Sequence, residues 1–192
     1  LIDSIQRKEV PVESNDIITK FRKGDENAFQ QLVECYQQKA FRIAVLIVQD
    51  DFLANDIVQE TFLKVYLNRD QLKNPSHFSS WFYRILTRTA WELSKKQLPL
   101  CKEETVFQTI SSPEDAEQDI LQKEVRQQIQ QALRTLPYHQ RTAIVLYYYE
   151  GMSVKEIAQA TGSMQGTVQS RLFLARKKLR LILESILKKE ER

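Results

Sequence analysis

The sequence predicts an all-α chain of two small helical domains joined by an acidic, flexible linker. Apolar residues recur at three- and four-residue intervals through most of the 192 residues. Glycine occurs only at Gly24, Gly151, Gly162 and Gly166, so long helices have few internal breaks. Between Leu98 and about Asp119 the helical spacing fades, Pro99 and Pro113 appear, and acidic residues accumulate. These observations divide the chain into an N-terminal extension (1–14), a first domain (15–97), a linker (98–119) and a second domain (120–192).

Each element has a local reason. Residues 15 to 23 form a short helix closed by Gly24. Asp25 then offers an N-cap for a helix whose Phe29, Leu32, Val33, Tyr36, Ala40, Ile43 and Ile47 keep helical spacing. A third helix spans about Asp51 to Asn68 and a fourth about Phe78 to Gln97, separated by the polar loop RDQLKNPSH with Pro75 in it. Beyond the linker, Ile120, Leu121, Val125, Ile129 and Leu133 resume the pattern. It breaks at Leu136-Pro137, returns from Ala143 to Tyr149 and stops at Gly151.

The bulk numbers exclude several classes. With 42% hydrophobic residues the chain can bury a core, and its longest nearly uncharged apolar run, Ile43 to Val48, is far too short to cross a bilayer. Cys35 and Cys101 are far apart and lie in no metal-ligand spacing, so neither a disulfide framework nor a zinc site is expected, and a reducing cytoplasm fits. No signal peptide is visible at the start. His77 and His139 have no partnered nucleophile, ligand set or phosphate loop, so no enzyme activity, cofactor, metal or small-molecule substrate is expected.

The net charge of +3 is too small to imply a polyanionic partner, but its distribution is uneven. Residues 162 to 192 carry eight Lys/Arg against three Glu, while residues 97 to 124 carry two Lys against seven Asp/Glu. The basic end contains a motif. Ser153-Val154-Lys155-Glu156 is an S-x-x-E capping box, Gly162 supplies a sharp turn, and Ser163 is expected to cap the following helix. Helix, short glycine turn, helix is the helix-turn-helix pattern. On the second helix Val168, Leu172, Ala175, Leu179, Ile182 and Ile186 form the core stripe. The opposite arc presents Gln169, Ser170, Phe173, Arg176, Lys177 and Arg180, with Arg171 and Lys178 at its flank, groups suited to base edges and phosphates.

In the first domain, Asp56, Gln59 and Glu60 form an acceptor-rich patch on the third helix. The fourth interleaves Trp81, Phe82, Tyr83 and Trp91 with Arg84, Arg88, Lys95 and Lys96. Rings beside cations suit single-stranded nucleic acid, with Arg88, Lys95 and Lys96 the candidates for phosphate and Trp81 and Ile85 for the core.

Together, DIVQETFLKVY, FSSWFYRILTRTA and GMSVKEIAQATGSMQGTVQSRLFLARKKLR resemble, in order and spacing, the motifs of bacterial RNA polymerase sigma factors of the extracytoplasmic-function group. The resemblance implies a region 2-like four-helix domain, a region 4-like helix-turn-helix domain, and a transcription initiation factor that brings core RNA polymerase to promoter DNA. It implies that Asp56, Gln59, Glu60 and Phe62 dock on polymerase. For the −10 element it implies that Asn68, Lys73, Asn74, Ser76, His77 and Phe78 hold a flipped base, while Arg84, Arg88, Lys95 and Lys96 follow the single strand. For the −35 element it implies Ser163, Thr167, Gln169, Ser170, Arg171, Phe173, Arg176 and Lys177. An anti-sigma factor, often membrane-anchored in this family, is the implied regulator. Asn55, Met164, Leu174 and Glu92 depart from the residues common at those places in the family. The residues alone leave open a stand-alone helix-turn-helix regulator, which would bind duplex DNA without polymerase and leave the first domain idle.

Overall fold

The computed structural model describes residues 15–96 and 127–190, with side chains described through residue 182. The expected N-terminal extension and acidic linker lie outside the described residues. Eight α-helices and two short 3-10 turns make up the described chain: α1 (Asn15–Arg22), α2 (Glu26–Val48), α3 (Asp51–Leu67), α4 (Phe78–Lys96), α5 (127–134), α6 (Tyr138–Tyr148), α7 (Val154–Thr161) and α8 (Gln165–Glu190).

Local chemistry sets the boundaries. Gly24 turns the chain after α1 with φ 90°, which a residue without Cβ adopts at no steric cost. Asp25 and Asp50 cap α2 and α3 by accepting from the amides of Ala28 and Leu53. Gln49 ends α2 in the left-handed region, φ 62°, and its side-chain amide donates to the Leu46 carbonyl at 2.7 Å, giving a terminal acceptor a partner. Pro137 directly precedes α6, which begins at Tyr138, five residues before the expected Ala143. Its fixed φ is compatible with a helix start, and its carbonyl accepts from Gln140 and Arg141.

In the first half, α1 to α4 enclose an aromatic core. Tyr36 packs on Phe82 at 4.6 Å and on Phe78 at 5.3 Å between ring centroids, and Phe21 lies edge-on to Phe78. Phe82 is fully buried, so Phe82→Ala should cost ~3–5 kcal/mol. In the second half, Ile144, Leu146, Ile157, Val168, Leu172 and Ala175 close the core between α6, α7 and α8.

The halves are not separate bodies in this structure. Helix α4 packs on α7 and α2 on α6, so one hydrophobic cluster runs through both. Thr87 and Tyr138 add hydrogen bonds across the seam, Trp91 packs at a tilt against Tyr138 and His139, and Lys39 meets Glu150 at 3.5 Å.

Candidate nucleic-acid and protein interfaces

Helix α3 buries Leu53, Ala54, Ile57, Val58, Thr61 and Val65. Helical geometry turns positions 52, 56, 59, 63 and 67 the other way. Asp56 and Gln59 are exposed there, and so are three apolar side chains, Phe52, Leu63 and Leu67. Sequence reading singled out the polar members and missed the apolar ones, because an apolar residue on a helix reads as core until its neighbours are known. Phe62, also expected to dock, serves the core as well. It is half-buried, with its ring 5.5 Å from Phe82 and 6.4 Å from Phe29, and so supports the aromatic core. Glu60 is partly exposed and lies 3.5 Å from Lys64.

The loop between α3 and α4 is folded into two 3-10 turns, Arg69–Gln71 and Pro75–His77. Asn68 accepts from Gln71 at 2.7 Å, and Asn74 accepts from both the amide and the hydroxyl of Ser76, so these side chains brace the loop. Lys73, Ser76 and His77 are exposed. Phe78 is not: at 1% exposure its ring belongs to the core, and a base held by this loop would not meet it.

On α4, Arg84, Arg88, Lys95 and Lys96 are exposed. Positions 84, 88, 91 and 95 share one face, and that face looks toward the second half of the chain. A cleft of about 280 Å³ there is lined by Arg84, Thr87, Arg88, Trp91, Tyr138 and His139, among others. Lys95 Nζ lies 4.5 Å over the Trp91 ring. Burial, with the positive charges of Arg171 and Lys95, lowers the pKa of His139. Arg88 donates to Glu92, whose carboxyl is held below its ordinary pKa by hydrogen bonds from Lys64 and Arg88, against the opposing effect of burial. Glu92 and Lys64 form an α3–α4 tie that sequence spacing did not reveal.

The helix-turn-helix forms from α7 and α8. Both bonds of the Ser153–Glu156 capping box are made, at 2.8 and 3.3 Å, and Gly162 takes the left-handed φ of 61° that ends α7. Ser163 does not act as the expected cap. Its hydroxyl accepts from Arg171 Nη1 at 2.9 Å and donates to the Thr161 carbonyl, and α8 begins at Gln165 after Met164. Arg171 therefore braces the turn. Arg176 is likewise engaged: its Nε donates to the Tyr148 hydroxyl at 3.0 Å and its guanidinium covers Tyr147. Thr167, Gln169, Ser170, Phe173 and Lys177 remain exposed on one arc of α8, and Leu174 beside them is 49% exposed.

Two known family models match the chain. Residues 32–97 match the model of Sigma-70 region 2 and residues 126–179 that of Sigma-70, region 4. The RNA polymerase sigma-H factor of Pseudomonas aeruginosa is 30% identical over 189 residues, spanning 92% of this chain and 96% of its own length. The ECF RNA polymerase sigma factor SigW of Bacillus subtilis is 31% identical over 182 residues, 88% of this chain and 96% of its own. A solved structure of the sigma factor RpoE in complex with the anti-sigma factor NepR, from Bartonella quintana, aligns with a TM-score of 0.63 at 25% identity, covering 81% of this chain and 96% of that one. The chain belongs to the extracytoplasmic-function group of RNA polymerase sigma factors. As such it is a transcription initiation factor, and the match over its first half removes the stand-alone regulator alternative.

Proposed function

We propose that the factor divides promoter recognition between its halves, residues 15–97 serving polymerase and the −10 element and residues 120–192 the −35 element. Helix α3 docks on core RNA polymerase with Asp56, Gln59 and Glu60 supplying acceptors and Phe52, Leu63 and Leu67 an apolar margin. Lys73, Ser76 and His77 meet the flipped base, on a loop shaped by Asn68 and Asn74. Arg84, Arg88, Lys95 and Lys96 follow the strand. Thr167, Gln169, Ser170, Phe173 and Lys177 meet duplex DNA, with Ser163, Arg171 and Arg176 holding the reading helix in place.

The observation that carries this reading is the exposed arc of α8, which leaves amide, hydroxyl, aromatic and ammonium groups unburied at the start of the second helix of a helix-turn-helix. Spanning both elements requires the halves to part. About 25 base pairs at about 3.4 Å each put the −10 and −35 elements roughly 85 Å apart. A helix the length of α8, 26 residues, covers only about 39 Å. With α7 packed on α4 and α8 starting just after α7, both elements cannot be held at once. The contacts around Thr87, Trp91 and Tyr138 therefore open on the promoter.

A factor that works on core polymerase and promoter DNA belongs in the bacterial cytoplasm. An anti-sigma protein is its expected regulator, for which half-exposed Leu174 and exposed Leu181 offer an apolar strip. Transcription in vitro with purified core polymerase on a genomic promoter library tests the whole reading. Factor-dependent transcripts sharing a −10 and a −35 sequence are expected, and their absence would overturn it.

A further inference from the structure

Lys64 lies between the helix that carries the docking carboxylates and the helix that carries the strand-following cations. Its ammonium has three protons and finds three acceptors: Glu60 Oε1 at 3.5 Å, Thr89 Oγ1 at 3.2 Å and Glu92 Oε2 at 3.1 Å. The other oxygen of Glu92 accepts from Arg88 Nε at 3.1 Å. Glu60, Lys64, Glu92 and Arg88 thus form a continuous line of alternating charge from α3 to α4.

We propose that Glu92 is a positioning residue that restrains Arg88 in the free factor and releases it when polymerase engages Glu60. The proposal rests on the roles given above to Glu60 and Arg88. A polymerase cation approaching Glu60 competes with Lys64 for that carboxylate. Lys64 then places its charge on Glu92, which weakens the hold of Glu92 on Arg88 and frees the guanidinium for a DNA phosphate. Arg88 is 75% exposed and its partner is one helical turn away, so the restraint on strand affinity is about twofold. Binding linkage makes the effect reciprocal: DNA on Arg88 strengthens polymerase binding by the same factor.

The experiment measures anisotropy of a labelled mixed-sequence single-stranded 20-mer DNA over a salt series, with and without saturating core polymerase. Wild type is compared with Glu92→Gln and with Glu34→Gln, which makes the same change of charge on α2, where exposed Glu34 accepts a neutral bond from Gln30. Without polymerase, Glu92→Gln is expected to bind the strand about twofold more tightly than Glu34→Gln. Its further gain on adding polymerase should be smaller by the same factor, and Arg88→Gln in the Glu92→Gln background should remove the difference. Equal strand affinities of Glu92→Gln and Glu34→Gln, or a difference that survives Arg88→Gln, would overturn the proposal. Glu60→Gln tests the underlying role separately. If it binds core polymerase as wild type does, the docking assignment falls. If it binds weakly while Glu92→Gln matches its charge control, only the restraint falls.

Discussion

Tyr138 donates its hydroxyl to the backbone carbonyl of Thr87 at 3.1 Å, and Thr87 directs its own hydroxyl toward the carbonyl of Ala160 at 3.0 Å. Two residues 51 apart in sequence therefore fasten α4 to both α6 and α7. The Thr87 hydroxyl has one proton and also faces the Tyr83 carbonyl at 2.8 Å, so its bond across the seam is shared. The Tyr138 bond joins α6 to α4 directly and is the better place to weaken the packed state.

Tyr138→Phe keeps the ring beside Trp91 and removes that bond, a net loss of ~1 kcal/mol. Energy transfer between dyes on Cys35 and on Lys177→Cys, in a Cys101→Ser background, should report a larger separated population, with helical content unchanged. Identical transfer in both proteins would show that the bond does not hold the halves together.

His139 makes the packed state sensitive to acid. Its ring lies 4.7 Å from Trp91 and meets Tyr138 edge-on, with Lys95 and Arg171 as nearby positive charges, and burial leads these charges in lowering its pKa from the ordinary 6.5. Well above 6.5 the ring is neutral whether the halves are packed or apart, and the contact contributes fully. As pH falls below 6.5 the separated state takes up its proton first, and packing weakens until the packed state titrates as well. The same dye pair should show separation growing between about pH 7.5 and 5.5, and His139→Gln should flatten that change. An equal slope in His139→Gln would assign the titration to another group.

On α3, replacing Asp56 and Glu60 together with Ala should weaken core-polymerase binding at least tenfold, since charge-assisted bonds are the stronger kind. Melting temperature should change little, because exposed carboxylates contribute little to stability. Titration of labelled factor with core polymerase decides this, and unchanged affinity would remove the carboxylates from the interface.

Lys177 and Lys178 should behave differently although they are neighbours. Both are exposed, but Lys178 donates to the Thr135 carbonyl and ties α8 to the end of α5. Lys177→Ala should lower the log-log salt slope of −35 duplex binding by about 0.9 without altering sequence preference. Lys178→Ala should act mainly on thermal stability. A shift in preference at Lys177 would make it a base reader.

Most of the architecture was legible in the sequence because its causes are local. Asp25 caps the helix it precedes, Ser153 and Glu156 lie the right distance apart for a capping box, and Gly162 takes a backbone angle that suits glycine. The expected face of α8 followed from its core spacing in the same way, and Gln169, Ser170, Phe173 and Lys177 are exposed on it. These features depend on residues within a turn or two of one another, so order along the chain is enough to find them.

Tertiary structure decided what each exposed-looking group does, because a partner distant in sequence is chosen by whole surfaces that dock. Helical spacing marks Arg176 as outward, but Tyr148, 28 residues earlier, takes its guanidinium. Ser163 fits a cap by type and is claimed by Arg171. Phe78 ends a polar loop and is drawn into the aromatic core, while Phe52, Leu63 and Leu67 on a nearby helix stay exposed. The bonds joining Lys64 to Glu92, Tyr138 to Thr87 and Lys39 to Glu150 span 28, 51 and 111 residues. Periodicity tells which side of a helix is buried, and the energy of packing one helix against another determines what lies opposite.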